Sequence, residues 1–145
     1  MKRLAILCAL AACAPDDTTL ALALGADATC TADALSAVAS LSLEVYGDAD
    51  GALCTLARRC VTLADITSVD DLTAALRAAM QPLIDTDLDD TRQIAVLGHD
   101  RLGCGEADRL LCGFADLADA DADGLAVQLR CEAADCPLEV PPFCP

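Results

Sequence analysis

The chain has 145 residues, enough for one domain, and a formal net charge of −15 from 24 acidic residues and nine lysines and arginines. So acidic a surface repels nucleic acid and anionic lipid headgroups, which argues against polyanion binding. Hydrophobic residues make up 55% of the chain but aromatic residues only 2%, so the core must be built from Ala, Leu, Val and Ile. These side chains bury less area per residue than aromatic rings do.

The first residues have the layout of a secretory signal. Lys2 and Arg3 give a short positive start, and Leu4 to Leu10 is an unbroken apolar run. A membrane-spanning helix needs about 20 apolar residues, so this run is too short to cross a bilayer.

The stretch "LAAC", which ends at Cys13, resembles the lipobox of bacterial lipoprotein signal peptides at all four positions. The resemblance implies a signal peptide at 1–12, acylation of the Cys13 thiol and anchoring to membrane lipid in the bacterial cell envelope. Ala14 in place of Asp implies the outer membrane. Residues 13–28 would then be the acylated N-terminus and tether, and residues 29–145 a cysteine-rich acidic domain. An ordinary secretory signal cut nearby, or a buried cytosolic helix, is the alternative.

The number of cysteines favours acylation of Cys13 over an ordinary secretory signal. Cleavage removes Cys8 and acylation uses Cys13, which leaves eight cysteines able to form four disulfides. Each disulfide typically contributes ~2–4 kcal/mol, which would help to offset a core poor in aromatic rings. Zinc sites need short paired spacings that are absent here, so the cysteines predict a scaffold and not a metal site. The eight are Cys30, Cys54, Cys60, Cys104, Cys112, Cys131, Cys136 and Cys144.

The Ala- and Leu-rich stretches predict an all-α fold, a disulfide-stapled bundle of about five to six short helices with antiparallel helical hairpins. Thr31 is the predicted N-cap of the first helix, Asp50 begins the second, and Ser68 caps the third, which ends before Pro82. A weaker helix is expected through His99. Within the tether, the "LALAL" stretch is expected to pack on the domain or form a short strand.

The predicted hairpins also suggest disulfide pairs. If the last two helices turn near residues 120–121, cysteines equidistant from that turn face one another, and the same argument applies to the first hairpin. The expected pairs are Cys112–Cys131, Cys104–Cys136 and Cys30–Cys60, with Cys54–Cys144 by elimination.

The segment "DADADG" matches the first half of an EF-hand calcium loop, with Asp119, Asp121 and Asp123 at the ligand spacing. The twelfth position, which must supply a bidentate carboxylate, is Arg130. The favoured interpretation is therefore a turn in which Asp123 caps the following helix, and weak calcium binding is the alternative.

Catalysis has little support in the sequence. His99 is the only imidazole and is predicted to lie solvated on a helix surface, and no serine lies within Gly-x-Ser-x-Gly. We therefore expect an anchored extracytoplasmic lipoprotein with a non-catalytic structural or interaction domain and no cofactor. The sequence identifies no protein partner. The alternatives are a weak calcium-binding domain and a carrier of a small apolar ligand between the helices.

Overall fold

The computed structural model describes residues 21–84, 90–105, 109–137 and 139–145. Within these ranges the chain forms six strands, two α-helices and two short 3-10 helices. Their order is β1 (Leu22–Ala26), α1 (Ala32–Ser36), β2 (Ser40–Ala49), β3 (Ala52–Thr62), α2 (Val69–Ile84), β4 (Thr91–His99), β5 (Arg109–Asp116), a 3-10 helix (Leu117–Asp119), β6 (Leu125–Arg130) and a 3-10 helix (Ala133–Asp135).

The strands form one six-stranded sheet in the order β1-β6-β5-β4-β2-β3. Only β1 and β6 run parallel, and the other neighbouring strands are antiparallel. The prediction of an all-α bundle is therefore wrong, and the helical hairpins on which it depended do not form. The physical reason is the two-residue period of segments such as "SLSLEVY", which places Leu and Val on one face of a strand.

The first predicted helix begins where the sequence indicates but ends early. Thr31 Oγ1 accepts a hydrogen bond from the Ala34 N–H at 3.3 Å, so the N-cap is confirmed. The helix stops at Ser36, and β2 begins four residues later.

The second predicted helix is instead a strand that comes after a tight hairpin turn. Asp50 and Gly51 have φ angles of 56° and 85°, and the Gly51 N–H donates to Asp48 Oδ1 at 2.9 Å. Positive φ at both central residues is typical of the two-residue turns that match strand twist, and Asp-Gly is a strong signal for them.

One face of the sheet, here called the apolar face, packs against α2. Its central side chains are almost fully buried and are contributed by every strand except the edge strand β3: Leu22, Leu41, Leu43, Ile94, Val96, Leu111, Leu125, Val127 and Leu129. Leu72 and Leu76 of α2 complete this core. Burial of aliphatic surface is thus the main favourable term on this face.

The start of α2 is confirmed as predicted. The Asp71 N–H donates to Ser68 Oγ at 3.2 Å, and the Ser68 N–H donates to Asp71 Oδ2 at 2.9 Å, which is a reciprocal capping box. The helix continues to Ile84, so the predicted end before Pro82 is wrong.

The opposite face of the sheet, here called the polar face, is contacted by the C-terminal strap, residues 131–137 and 139–145. Polar side chains from three strands are buried there: Ser40, Ser42, Glu44, Thr55 and His99, together with Arg109. Apart from the 3-10 helix Ala133–Asp135, the described residues of the strap form no helix or strand of the fold.

The eight cysteines form four disulfides: Cys30–Cys131, Cys54–Cys144, Cys60–Cys104 and Cys112–Cys136. The expected number of disulfides is confirmed, and so is the Cys54–Cys144 pair. The other three expected pairs are wrong, because they assumed helical hairpins that the sheet replaces. Three of the four bonds join the strap to the rest of the domain.

Residues 22–24 of the "LALAL" segment lie in β1 (Leu22–Ala26), a short strand of the kind that the sequence allowed within the tether. Leu22 to Ala26 pair in register with Leu125 to Leu129, so this segment belongs to the sheet. Cys13 and the proposed signal lie outside the described residues. Within the described ranges, no helix combines the length and the apolar character needed to cross a membrane.

Candidate ligand-binding cleft beneath the C-terminal strap

Strand β2 supplies the polar side chains at the centre of the polar face. Its alternation places Ser42, Glu44 and Tyr46 on the same side of the sheet, and all three are buried. Buried polar groups are costly unless they are hydrogen-bonded, so the partners of each group determine what this face can do.

Glu44 is 2% exposed and has a complete set of partners. Its Oε1 lies 3.0 Å from Arg58 Nε, and its Oε2 accepts a hydrogen bond from the Tyr46 hydroxyl at 2.7 Å. The Ser42 hydroxyl also approaches Oε1 at 3.4 Å. Burial, followed by the hydrogen bond to Glu44, raises the pKa of Tyr46 above its usual value, so the phenol stays protonated and donates.

His99 ends strand β4 and is 2% exposed. Its Nε2 lies 3.1 Å from the Ser42 hydroxyl oxygen. Burial lowers the pKa of His99 below its ordinary value, against an opposing contribution from the Gly105 backbone, so the neutral imidazole is favoured. The expectation of a solvated histidine on a helix surface is wrong, because the residue is buried at the end of an inner strand of the sheet.

Arg109 begins strand β5, opposite His99 in register, and is 3% exposed. Its Nη1 donates to the Pro137 carbonyl in the strap. Its Nε and Nη2 are buried and have no hydrogen-bond partner. Among the described residues, no carboxylate forms an ion pair with Arg109. This guanidinium therefore has only part of its donor capacity used.

The end of the C-terminal strap is fixed alongside the edge strand β3, where Phe143 forms a parallel β-bridge with Thr55. The Thr55 N–H donates to the Pro142 carbonyl at 2.7 Å, and the Cys144 N–H donates to the Thr55 carbonyl at 3.0 Å. The Thr55 hydroxyl donates to the Pro141 carbonyl at 2.6 Å. Phe143 adds a cation–π contact, with its ring centre 5.7 Å from Arg58 Cζ. These contacts and the disulfides hold the strap in one position.

Between the strap and the sheet lies a cleft of about 150 Å³. Apolar side chains form most of its wall: Leu53, Leu97 and Phe114 from the strands, and Pro137 and Pro141 from the strap. Arg109, Tyr46, Gln93 and Glu139 are the polar residues that line it. An apolar cleft with a few convergent polar groups is the usual character of a small-molecule site.

The "DADADG" segment lies elsewhere, in the turn that precedes β6. The Asp121 N–H donates to the Gly124 carbonyl at 3.0 Å, and Asp121 Oδ1 accepts from the Asp123 N–H at 2.8 Å. The prediction that Asp123 caps a helix is wrong, because the next element is a strand. Across the part of the chain that the structure describes, no group of three or more His, Cys, Asp or Glu residues is arranged to hold a metal ion.

The residues that form the cleft were not among those singled out from the sequence. The sequence draws attention to His99 as its one imidazole. This residue pairs in register with the cleft residue Arg109 but is not among the residues that line the cleft. The signal that could have found them is the alternation in β2, which indicates that Glu44 and Tyr46 share one face of a strand. Nothing local to Arg109 marks it, because its burial depends on a strap that comes later in the chain.

No protein-family model, curated protein or solved structure matches this chain.

Proposed function

We propose that this chain is an extracytoplasmic lipoprotein, anchored through acylated Cys13, whose domain is a non-catalytic binding domain that uses the cleft beneath the C-terminal strap. The observation that carries this proposal is the set of four disulfides that uses all eight cysteines of the described domain. Disulfides form and persist in oxidising compartments and are rare in the cytosol, which supports a location outside it.

The chemistry of the polar face supports binding more than catalysis. Ser42 and His99 are 3.1 Å apart, a distance that suits a nucleophile and its base. Both are at most 2% exposed, and neither lines the cleft. Ser42 also approaches Glu44, so this pair belongs to a buried network that stabilises the sheet.

The position of β1 constrains how an anchored domain would lie. Eight residues lie between Cys13 and Leu22, the first residue of the sheet, so the chain advances by nine residue steps from one to the other. At about 3.3–3.6 Å per residue, that length of chain spans at most ~30 Å. Anchoring at Cys13 would therefore keep the sheet close to the membrane surface, where a binding domain meets ligands that reach the envelope.

Intact-mass analysis of the full chain extracted from membranes tests the anchor. We expect a mass that lacks residues 1–12 and includes a diacylglyceryl group, with no cysteine alkylated until the disulfides are reduced. The matched variants are Cys13→Ser, which should lose both processing and membrane retention, and Cys8→Ser, which should retain both. A Cys13→Ser chain with the same membrane retention as the wild type would contradict the proposal.

A further inference from the structure

We propose that the cleft binds a small monocarboxylate, with the carboxylate on Arg109 and an apolar body against Leu53, Leu97 and Phe114. The inference rests on the proposed binding function and specifies the chemical class of the ligand.

The charge of Arg109 is the first reason. The side chain is 3% exposed, and no described carboxylate forms an ion pair with it. The nearby acid Glu44 is already engaged by Arg58 and Tyr46. An unpaired charge is expensive to bury, and a paired and hydrogen-bonded one much less so. An anion delivered to the cleft would supply the missing partner.

The unused donors of the guanidinium are the second reason. Arg109 lines the cleft, but its Nε and Nη2 are covered in this structure, so a ligand reaches them only by displacing the atoms that cover them. Nη1 is already bonded to the Pro137 carbonyl, and the two unpartnered atoms are Nε and Nη2. These two nitrogens share one edge of the planar group, so their N–H bonds are nearly parallel. That edge matches the two oxygens of a carboxylate in a bidentate pair.

The size and lining of the cleft limit the rest of the ligand. Its volume is about 150 Å³, and an apolar cavity of about that volume accommodates benzene. The ligand is therefore an acid with a body close to the size of one ring or one branched aliphatic side chain. The exposed Glu139 at the rim disfavours dianions through like-charge repulsion.

Two kinds of molecule combine one carboxylate with a compact apolar group. One is a free monocarboxylic acid, and the other is the C-terminus of a peptide that ends in Leu or Phe. The experiment must therefore include each.

Calorimetric titration of the full-length oxidised chain in detergent tests the inference. Benzoate is the free-acid probe and benzamide its uncharged control, and the tripeptide Ala-Ala-Phe is compared with its C-terminal amide. We expect benzamide to bind at least about tenfold more weakly than benzoate, because hydrogen bonds between charged groups contribute more than neutral ones. Inorganic phosphate, which has no apolar body, should give no measurable heat. Tight binding of the tripeptide acid but not of benzoate would identify the C-terminus as the source.

Variants separate the cleft from general effects of charge. Leu53→Glu places a carboxylate at a position that is 45% exposed and lines the cleft, so the fold should tolerate it. We expect it to weaken benzoate binding by about tenfold or more. Leu102→Glu makes the same change at a residue that is 70% exposed in the turn after β4, and binding should stay within about twofold of wild type. Arg109→Gln should abolish binding.

Three results would overturn the inference: equal affinities for benzoate and benzamide, equal effects of the two glutamate variants, or no binding of either acid by a chain with four intact disulfides. A chain that is acylated and anchored but binds no acid would overturn only this inference. A chain that binds benzoate but lacks the acyl group would overturn only the anchor.

Discussion

The two faces of the sheet are covered in different ways. On the apolar face, Leu72 and Leu76 of a regular helix meet buried Leu, Ile and Val side chains. On the polar face, the described part of the strap, in which Ala133–Asp135 form a 3-10 turn, contacts buried Thr55 and Arg109 and is joined to the domain by disulfides. Aliphatic burial is non-directional and suffices to seat a helix, whereas polar groups require specific partners. The strap on the polar face therefore depends on disulfide bonds to stay in place, whereas α2 on the apolar face does not.

Breaking the buried ion pair should give the largest loss. Arg58→Met would leave the Glu44 carboxylate without its cation, and we expect the free energy of unfolding to fall by ~3–5 kcal/mol. Urea denaturation measures this change. Arg59→Met, at the adjacent exposed position, is the matched control and should change stability by no more than about 0.5 kcal/mol. Equal effects of the two variants would show that the pair contributes nothing beyond surface charge.

Truncation in the apolar core should be nearly as costly. Leu72 is fully buried between α2 and the sheet, so Leu72→Ala should lower the free energy of unfolding by ~2–5 kcal/mol through lost burial and a residual cavity. The same substitution at Leu102, which is 70% exposed, should have little effect. Retention of benzoate binding by folded Leu72→Ala would show that the two faces act separately.

Removing one strap disulfide tests whether the cover of the polar face depends on covalent bonds. The double variant Cys112→Ser/Cys136→Ser should lower the free energy of unfolding by ~2–4 kcal/mol. Cys136 directly precedes Pro137, which lines the cleft, so loss of this bond should also release that wall of the cleft and lower the affinity for benzoate. Far-ultraviolet circular dichroism should still report the sheet, since the apolar face is intact. The matched control is Cys60→Ser/Cys104→Ser, which removes a bond outside the strap and should leave benzoate affinity unchanged.

Acid should destabilise the polar face through His99. Its pKa in the folded state is lowered from an ordinary value of 6.5, so below that pH the unfolded chain binds more protons than the folded one. The free energy of unfolding should therefore decrease as the pH falls from 6.5 toward the folded-state pKa. His99→Gln should make urea midpoints measured across this interval less dependent on pH. An unchanged slope would assign the pH dependence to other groups.

The smallest predicted change concerns the helix cap on the other side of the sheet. Ser68→Ala removes the acceptor for the Asp71 N–H and should cost about 1 kcal/mol, measured by thermal unfolding. Ser36→Ala, at an exposed position in the last turn of α1, provides the control. An equal loss at both positions would argue against a specific capping contribution.

Two helix caps are predicted correctly from neighbouring residues alone, whereas Asp50 and Asp123, which are equally local signals, lie in turns that lead into strands. The two caps are those at Thr31 and Ser68, and both form as expected. The length of the helix after each cap depends instead on tertiary contacts. After Thr31 the helix lasts five residues, because Ser40–Ala49 gains more by pairing with two strands than by continuing the helix.

The abundance of alanine concealed the strands. Alanine favours helices and also counts as apolar, so segments such as "LAVQLR" looked like helix surfaces, although Leu125, Val127 and Leu129 alternate with exposed residues. Three of the four predicted disulfide pairs are wrong for the same reason, since their geometry assumes helical hairpins. The cleft could not be predicted from the sequence, because Arg109 and Phe114 come together with Pro137 and Pro141 only once the chain folds back.

The order of the cysteines along the chain has a consequence for biogenesis. If the chain crosses a membrane starting from its N-terminus, Cys54 reaches the far side long before its partner Cys144, which lies 90 residues later. The partner of Cys60, Cys104, follows after only 44 residues. Throughout the longer interval Cys54 would be a reactive thiol with other sulfurs nearby. If the chain is exported as proposed, oxidation of its final pair of thiols would complete both the fold and the cleft, and any affinity for the proposed ligand would arise only at that step.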